Sequence, residues 1–117
     1  MRIFELSKAF PKTEIYSLTE QIRRSSRSVC ANLAEAWRKR RYKRAFISNL
    51  SDVEAEAAET QVWLAFAMKR GYMQDKDATA LTRTYAGILG TVVGMITHPE
   101  TWVLGWNSRG RDDGMIR

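Results

Sequence analysis

Between Pro11 and Pro99 the apolar residues recur every three or four positions and never in strict alternation. Ile15, Leu18, Ile22, Ser25, Val29, Asn32 and Ala36 fall on one face of an ideal helix, with Ser26 and Leu33 alongside. A second run, Phe46, Leu50, Val53, Ala57, Thr60, Leu64 and Ala67, behaves the same way and stops at Gly71, a residue suited to ending a helix. A third begins after Asp75 or Asp77, either of which can cap, and continues through Leu81, Tyr85, Ile88, Val92 and Ile96 to Pro99. The spacing predicts helices near residues 13–38, 42–70 and 77–98. Ahead of Pro11, Ile3, Phe4, Leu6 and Phe10 suffice for a stub of about two turns.

Three long helices joined by short loops pack most simply as antiparallel neighbours. The expected fold is therefore all-α: an up-and-down four-helix bundle with a short first helix, spanning residues 1–104, followed by a C-terminal tail at 105–117. That tail, GWNSRGRDDGMIR, has no periodicity, and Trp102 and Trp106 are the expected anchors at its start.

Two helices carry a second, less usual surface. Opposite its main stripe the third helix presents Ile47, Ser51, Ala55, Ala58, Val62, Ala65 and Phe66. The fourth presents Ala80, Gly87, Gly90, Thr91 and Gly94. A glycine inside a helix costs about 1 kcal/mol relative to alanine, and close approach by another helix is one reason to keep three on one surface. A helix that is apolar on two sides ordinarily has two partners. The expectation is a homo-oligomer whose interface uses Ile47, Ala55, Ala58, Val62 and Phe66 with Gly87, Gly90 and Gly94.

Composition adds bounds. The 117 residues are 44% hydrophobic and 27% charged, which suits one folded domain with its own core. Cys30 is the single cysteine, so neither an intrachain disulfide nor a cysteine-based zinc site is available, and the cytoplasm is the expected location. The opening residues lack a signal-peptide core. The longest apolar run, residues 86–96, falls short of the ~20 residues that span a bilayer, so no membrane partner is expected.

Catalytic chemistry has little to draw on. A di-iron bundle needs Glu-x-x-His on two helices, whereas His98 is the only histidine and Met95 stands three residues before it. Cys30 and the serines have no other histidine to pair with, and no phosphate-binding loop occurs. Glu54, Glu56 and Glu59 read as solvated helix charges. No enzyme activity, metal or cofactor is expected.

Charge distribution is the stronger signal. The chain carries a net +6, yet residues 23–44 hold nine basic residues against Glu35 alone, so the remainder is net acidic. The stretch EAWRKRRYKRA supplies six of the nine. Arginine suits phosphate because its planar fork donates two parallel hydrogen bonds and stays charged at any relevant pH. Trp37 and Tyr42 flank the run and have the ring type that stacks on unpaired bases. On the wheel Arg23, Arg24, Arg27 and Arg38 point away from the apolar stripe. The candidate contacts to RNA or DNA backbone are Arg23, Arg24, Arg27, Trp37, Arg38, Lys39, Arg40, Arg41, Lys43 and Arg44. A basic turn that only keeps the fold soluble is the plainer alternative. The molecule would then be a structural or protein-interaction module with no nucleic-acid role.

Beyond these patterns, LTEQIRRSSRSVCANLAEAWRKR closely resembles the signature of the small bacterial four-helix bundle proteins encoded in intervening sequences of 23S rRNA genes. LSDVEAEAAETQVWLAFAMKRGYM is similar to the next helix of that family, and FPKTEIYSL fits the segment before it. The resemblance covers residues 6–96. It implies homo-oligomeric rings, often pentamers, and kinship with the accessory proteins of diversity-generating retroelements, which bind a reverse transcriptase and nucleic acid. Such a partner enzyme is the adaptor form of the alternative reading. The family commonly has proline where this chain has Cys30 and glycine where it has Ala36, which implies an unbroken second helix here. Its opening helix is usually full length, whereas ten residues precede Pro11 in this chain.

Overall fold

The structure, a computed structural model, describes residues 2–105, and every regular element among them is helical. Its elements are α1 (Arg2–Ser7), α2 (Leu18–Arg38), α3 (Lys43–Lys69) and α4 (Asp75–Thr97), with short 3₁₀ turns at Lys12–Glu14 and Pro99–Thr101. The tail from Trp106 onward lies outside the described residues, and with it one of the two expected anchors.

The centre of the molecule is α3. All seven residues of its main stripe, from Phe46 to Ala67, are fully buried because α2 packs on one flank and α4 on the other. The helix ends where the sequence indicates. Gly71 adopts φ +76°, and the Tyr72 amide donates back to the Ala67 carbonyl at 2.9 Å. Deep in the α2–α3 seam, Thr60 Oγ1 lies 2.9 Å from Ser25 Oγ and 2.8 Å from the Glu56 carbonyl oxygen, so these two buried hydroxyls satisfy each other. Asn32, another polar residue near the seam, donates to the Ser28 carbonyl at 3.0 Å.

The start of α2 departs from the expected position. Helical periodicity places it near residue 13, but the backbone breaks at Ser17, with φ −127° and ψ −101°, and Ile15 is 48% exposed. The cause is Glu14, whose carboxylate accepts the Ser17 hydroxyl, the Leu18 amide at 3.4 Å and the Tyr72 hydroxyl at 2.8 Å. Arg70 stands 3.9 Å away. One acidic side chain thereby caps α2 and ties it to the α3–α4 turn, a role that outweighs helical continuation through Ile15.

The hydrogen bonds from Ser17 and Tyr72 hold the Glu14 carboxyl below its ordinary range. A carboxylate whose folded-state pKa is depressed contributes stability above its unfolded value of about 4.3, and that contribution disappears as pH falls through the folded pKa. Glu14→Gln should therefore melt at a lower temperature than the wild type at neutral pH, and the gap should close in acid. Thermal melts across that range check this; a gap independent of pH would assign the effect to packing.

The first helix is short. α1 packs mainly on the upper part of α2 and reaches α4 through Arg2, whose guanidinium donates to Asp77 Oδ1 at 3.0 Å, while α2 and α4 scarcely touch each other because α3 lies between them. Burial along one face of α2 records where α1 stops. Thr19 and Ser26 are 4% and 0% exposed beneath it, whereas Cys30, Leu33 and Trp37, farther along the same face, are exposed. Between α2 and α4 a notch of about 410 Å³ opens, walled by Leu33 on one side and Thr84, Gly87, Ile88, Thr91, Val92 and Met95 on the other. Leu81, Ile88 and Ile96, expected in the core, are only half-buried for this reason.

Below the notch the chain leaves α4, turns at the buried Pro99 and crosses the end of the bundle. Val103 is buried, the Leu104 amide donates to the Arg40 carbonyl at 3.0 Å, and Trp102 meets Trp37 edge-on with ring centroids 6.3 Å apart. Trp102 itself is 37% exposed, so Val103 supplies the deeper anchor.

Candidate nucleic-acid interface

The basic residues form two groups because α2 is straight. Arg27 and Arg38 stand eleven residues apart on it, which is about 17 Å along the axis. The upper group is Arg23, Arg24 and Arg27; the lower group surrounds the α2–α3 turn.

In the upper group two guanidinium groups are already engaged. Arg23 Nε donates to Ser7 Oγ at 2.7 Å, and its guanidinium lies over the Phe4 ring at 4.4 Å. It holds α1 in place. Arg24 donates to Glu59 Oε2 at 2.8 Å and to Gln21 Oε1 at 3.2 Å, with Glu56 Oε2 at 3.8 Å. Glu59 also accepts the Trp63 indole N–H at 3.0 Å. The acids read from the sequence as solvated are thus partly paired across the α2–α3 seam. Arg27 is exposed and makes no hydrogen bond or ion pair among the described residues.

The lower group keeps more open charge. Arg38 and Arg41 are exposed and have no hydrogen-bonded or ionic partner among the described residues. Lys39 pairs with Glu35 at 3.0 Å along the helix, and this contact draws the Glu35 carboxyl below its ordinary range. Arg40 Nε donates to the Trp37 carbonyl at 2.9 Å while its guanidinium covers the Trp37 ring at 3.7 Å. With Trp102 against its edge, Trp37 offers a base at most the face away from Arg40. Lys43 and Arg44 begin α3 and both have partners within the chain. Tyr42 is half-buried at the N-cap of α3, where its carbonyl accepts the Phe46 amide at 2.8 Å.

The expected interface residues on α3 and α4 occupy a different surface. Ala55, Ala58, Val62 and Phe66 are exposed, and Ile47 is half-buried against the core. Gly87, Gly90 and Gly94 are exposed, and a methyl group added to any of them would meet nothing within 4 Å. Among the described residues, then, no helix approaches the glycines.

The described residues contain no group of three or more His, Cys, Asp or Glu side chains placed to hold a metal. His98 is exposed and stands 3.6 Å from Glu100. No described helix is long and apolar enough to cross a membrane. Burial pushes the Tyr85 hydroxyl above its ordinary value, with the neighbouring Cys30 adding to the shift. A hollow of about 640 Å³ lies on the opposite flank of α2, lined by Tyr16, Leu18, Gln21, Trp63 and Phe66, with Glu14, Lys69 and Arg70 at its edge. The sequence signal for it was the adjacent pair of aromatics on α3, one of which, Phe66, falls on the second stripe.

The family description "23S rRNA-intervening sequence protein" matches residues 1–94. The chain belongs to that family. The matched span takes in the stub, α2, α3 and α4 as far as Gly94, so membership rests on the bundle and not on the segment that crosses its end. Neither the comparison with curated proteins nor that with solved structures finds a match.

Proposed function

We propose that this protein is a non-enzymatic, self-associating bundle that contacts the backbone of RNA or DNA through the lower basic group. The observation that carries the reading is the pair Arg38 and Arg41, exposed and without partners among the described residues, at a turn whose other cations are held by local contacts. Charges already paired within the chain gain little from a phosphate, whereas free guanidinium groups release condensed counterions when they bind one. Lys39, Arg40, Lys43 and Arg44 add to the local potential. Each chain presents few contacts, so useful affinity requires several copies acting together, which fits the exposed stripe of α3 and the glycine face of α4. The family description names 23S rRNA, which is compatible with RNA as the polyanion.

Labelled single-stranded RNA and duplex DNA, titrated by fluorescence anisotropy at low and physiological salt, test this. The expected result is weakly selective binding that falls steeply with salt, since each phosphate contact adds about 0.7 to 0.9 to the logarithmic slope. No binding at low salt would refute it. The aromatic hollow beside Phe66 favours the second reading, a docking module for a partner protein such as a polymerase, in which case binding would be insensitive to salt.

A further inference from the structure

Going beyond both readings above, we infer that the hollow between the start of α2 and the end of α3 binds a small organic anion with a flat aromatic body, in the simplest case an aromatic carboxylate. Gln21, which lines it, stands seventeen residues from Arg38 on α2, about 26 Å along the axis. The site is therefore separate from the lower basic group and does not depend on phosphate binding there.

Its walls come from two helices packed against each other. Leu18 and Gln21 lie one turn apart on α2, and Trp63, Phe66 and Lys69 follow at steps of three on α3, which keeps each set on one side of its helix. The space between them, about 640 Å³, has the size of a small-ligand pocket, for which about 300 to 1,000 Å³ is usual.

The apolar part is in place before a ligand arrives. Leu18 is buried and Trp63 half-buried, and Trp63 meets Phe66 with ring centroids 5.8 Å apart and planes tilted by 34°. Glu59 holds the Trp63 indole N–H, and Arg24 holds Glu59, so the ring has a fixed setting. Phe66 and Tyr16 are both exposed at the mouth. A flat ring entering there covers aromatic surface that the chain itself leaves in water. Walls that are already ordered spare the ligand the cost of ordering them.

The polar groups are donors that lack acceptors. Arg24 donates to Gln21 Oε1 at 3.2 Å, which leaves the Gln21 amide nitrogen without an acceptor among the described residues. Lys69 is exposed and has no hydrogen-bonded or ionic partner among the described residues. Arg70 adds a second positive charge at the rim, 3.9 Å from Glu14. Glu14 is the one carboxylate there, and it already accepts the Ser17 hydroxyl, the Leu18 amide and the Tyr72 hydroxyl. Open donors and a surplus of positive charge beside an aromatic floor complement a ring that carries an anionic head. A cation would be repelled, and a neutral ring would leave Lys69 unanswered.

Calorimetric titration of the full chain with 2-naphthoate and with its neutral counterpart 2-naphthamide tests this. The carboxylate should bind about tenfold more tightly than the amide, the scale of one charged contact at a partly exposed site. Lys69→Glu should abolish that preference and leave the amide's affinity unchanged, whereas Phe66→Ala should weaken both ligands. Both side chains are exposed, so neither change disturbs the core. Arg38→Glu, at the far end of α2, should alter neither affinity. The site is refuted by absence of 2-naphthoate binding at millimolar concentration, by equal affinities for the two probes, or by a preference that survives Lys69→Glu. None of these outcomes bears on nucleic-acid binding, which the anisotropy titration reads separately.

Discussion

Reversing Arg38 and Arg41 together to glutamate is expected to lower affinity for single-stranded RNA on the order of tenfold to a hundredfold at low salt. A hydrogen bond to a charged group is worth about 1.5 to 3 kcal/mol, and solvent screening discounts it at exposed sites. Two lost contacts at the lower end of that range, with about 1.4 kcal/mol per factor of ten, give the figure. The slope of log affinity against log salt should fall by about 1.4, and the loss should be the same for unrelated sequences because backbone contacts carry no base information. Arg24→Gln provides the contrast. Its guanidinium is committed to Glu59, so the change should lower stability and leave the salt slope unaltered. Equal slopes for wild type and the double reversal would remove the lower basic group from the proposed interface.

The largest loss of stability is expected from Phe46→Ala. Phe46 is 0% exposed in the first turn of α3, and large-to-small changes of a buried aromatic cost about 3 to 5 kcal/mol. A domain of this size has on the order of 5 to 15 kcal/mol in total. A loss of that size removes much of it, so the variant should be largely unfolded at low protein concentration. Urea melts followed at two protein concentrations check both parts. If copies associate as proposed, the midpoint rises with concentration; a loss below about 1 kcal/mol would mean that the site collapses around the missing ring.

The third helix was legible because its stripe follows the 3.6-residue period without interruption from Phe46 to Ala67, and Gly71 marks its end. The beginning of α2 was not. Ile15 continues the period, but Glu14 bonds Tyr72, fifty-eight residues away, and no local pattern reports such a tie. The same limit applies to the basic run. Counting charges finds the cluster, yet which cations stay available depends on Ser7 and Glu59, sixteen and thirty-five residues from the arginines they engage. Trp37 shows the limit for rings: its aromatic character is plain in the sequence, whereas the guanidinium on its face and Trp102 at its edge are products of folding. The second stripe of α3 and the α4 glycines were readable as patterns. The short first helix was readable too; that a recess opens between α2 and α4 beside those glycines required coordinates.

The segment that crosses the end of the bundle has a consequence for recognition. Fixing one backbone residue costs roughly 1 to 2 kcal/mol of conformational entropy, and a short arginine-rich turn left loose would have to meet that cost on meeting its target. Here the Leu104 amide holds the Arg40 carbonyl, and Trp102 braces Trp37, so the turn between α2 and α3 is ordered before any ligand arrives. Its cations keep a fixed spread. Removing residues from Pro99 onward would therefore weaken phosphate binding by loosening the turn, with every basic side chain still present.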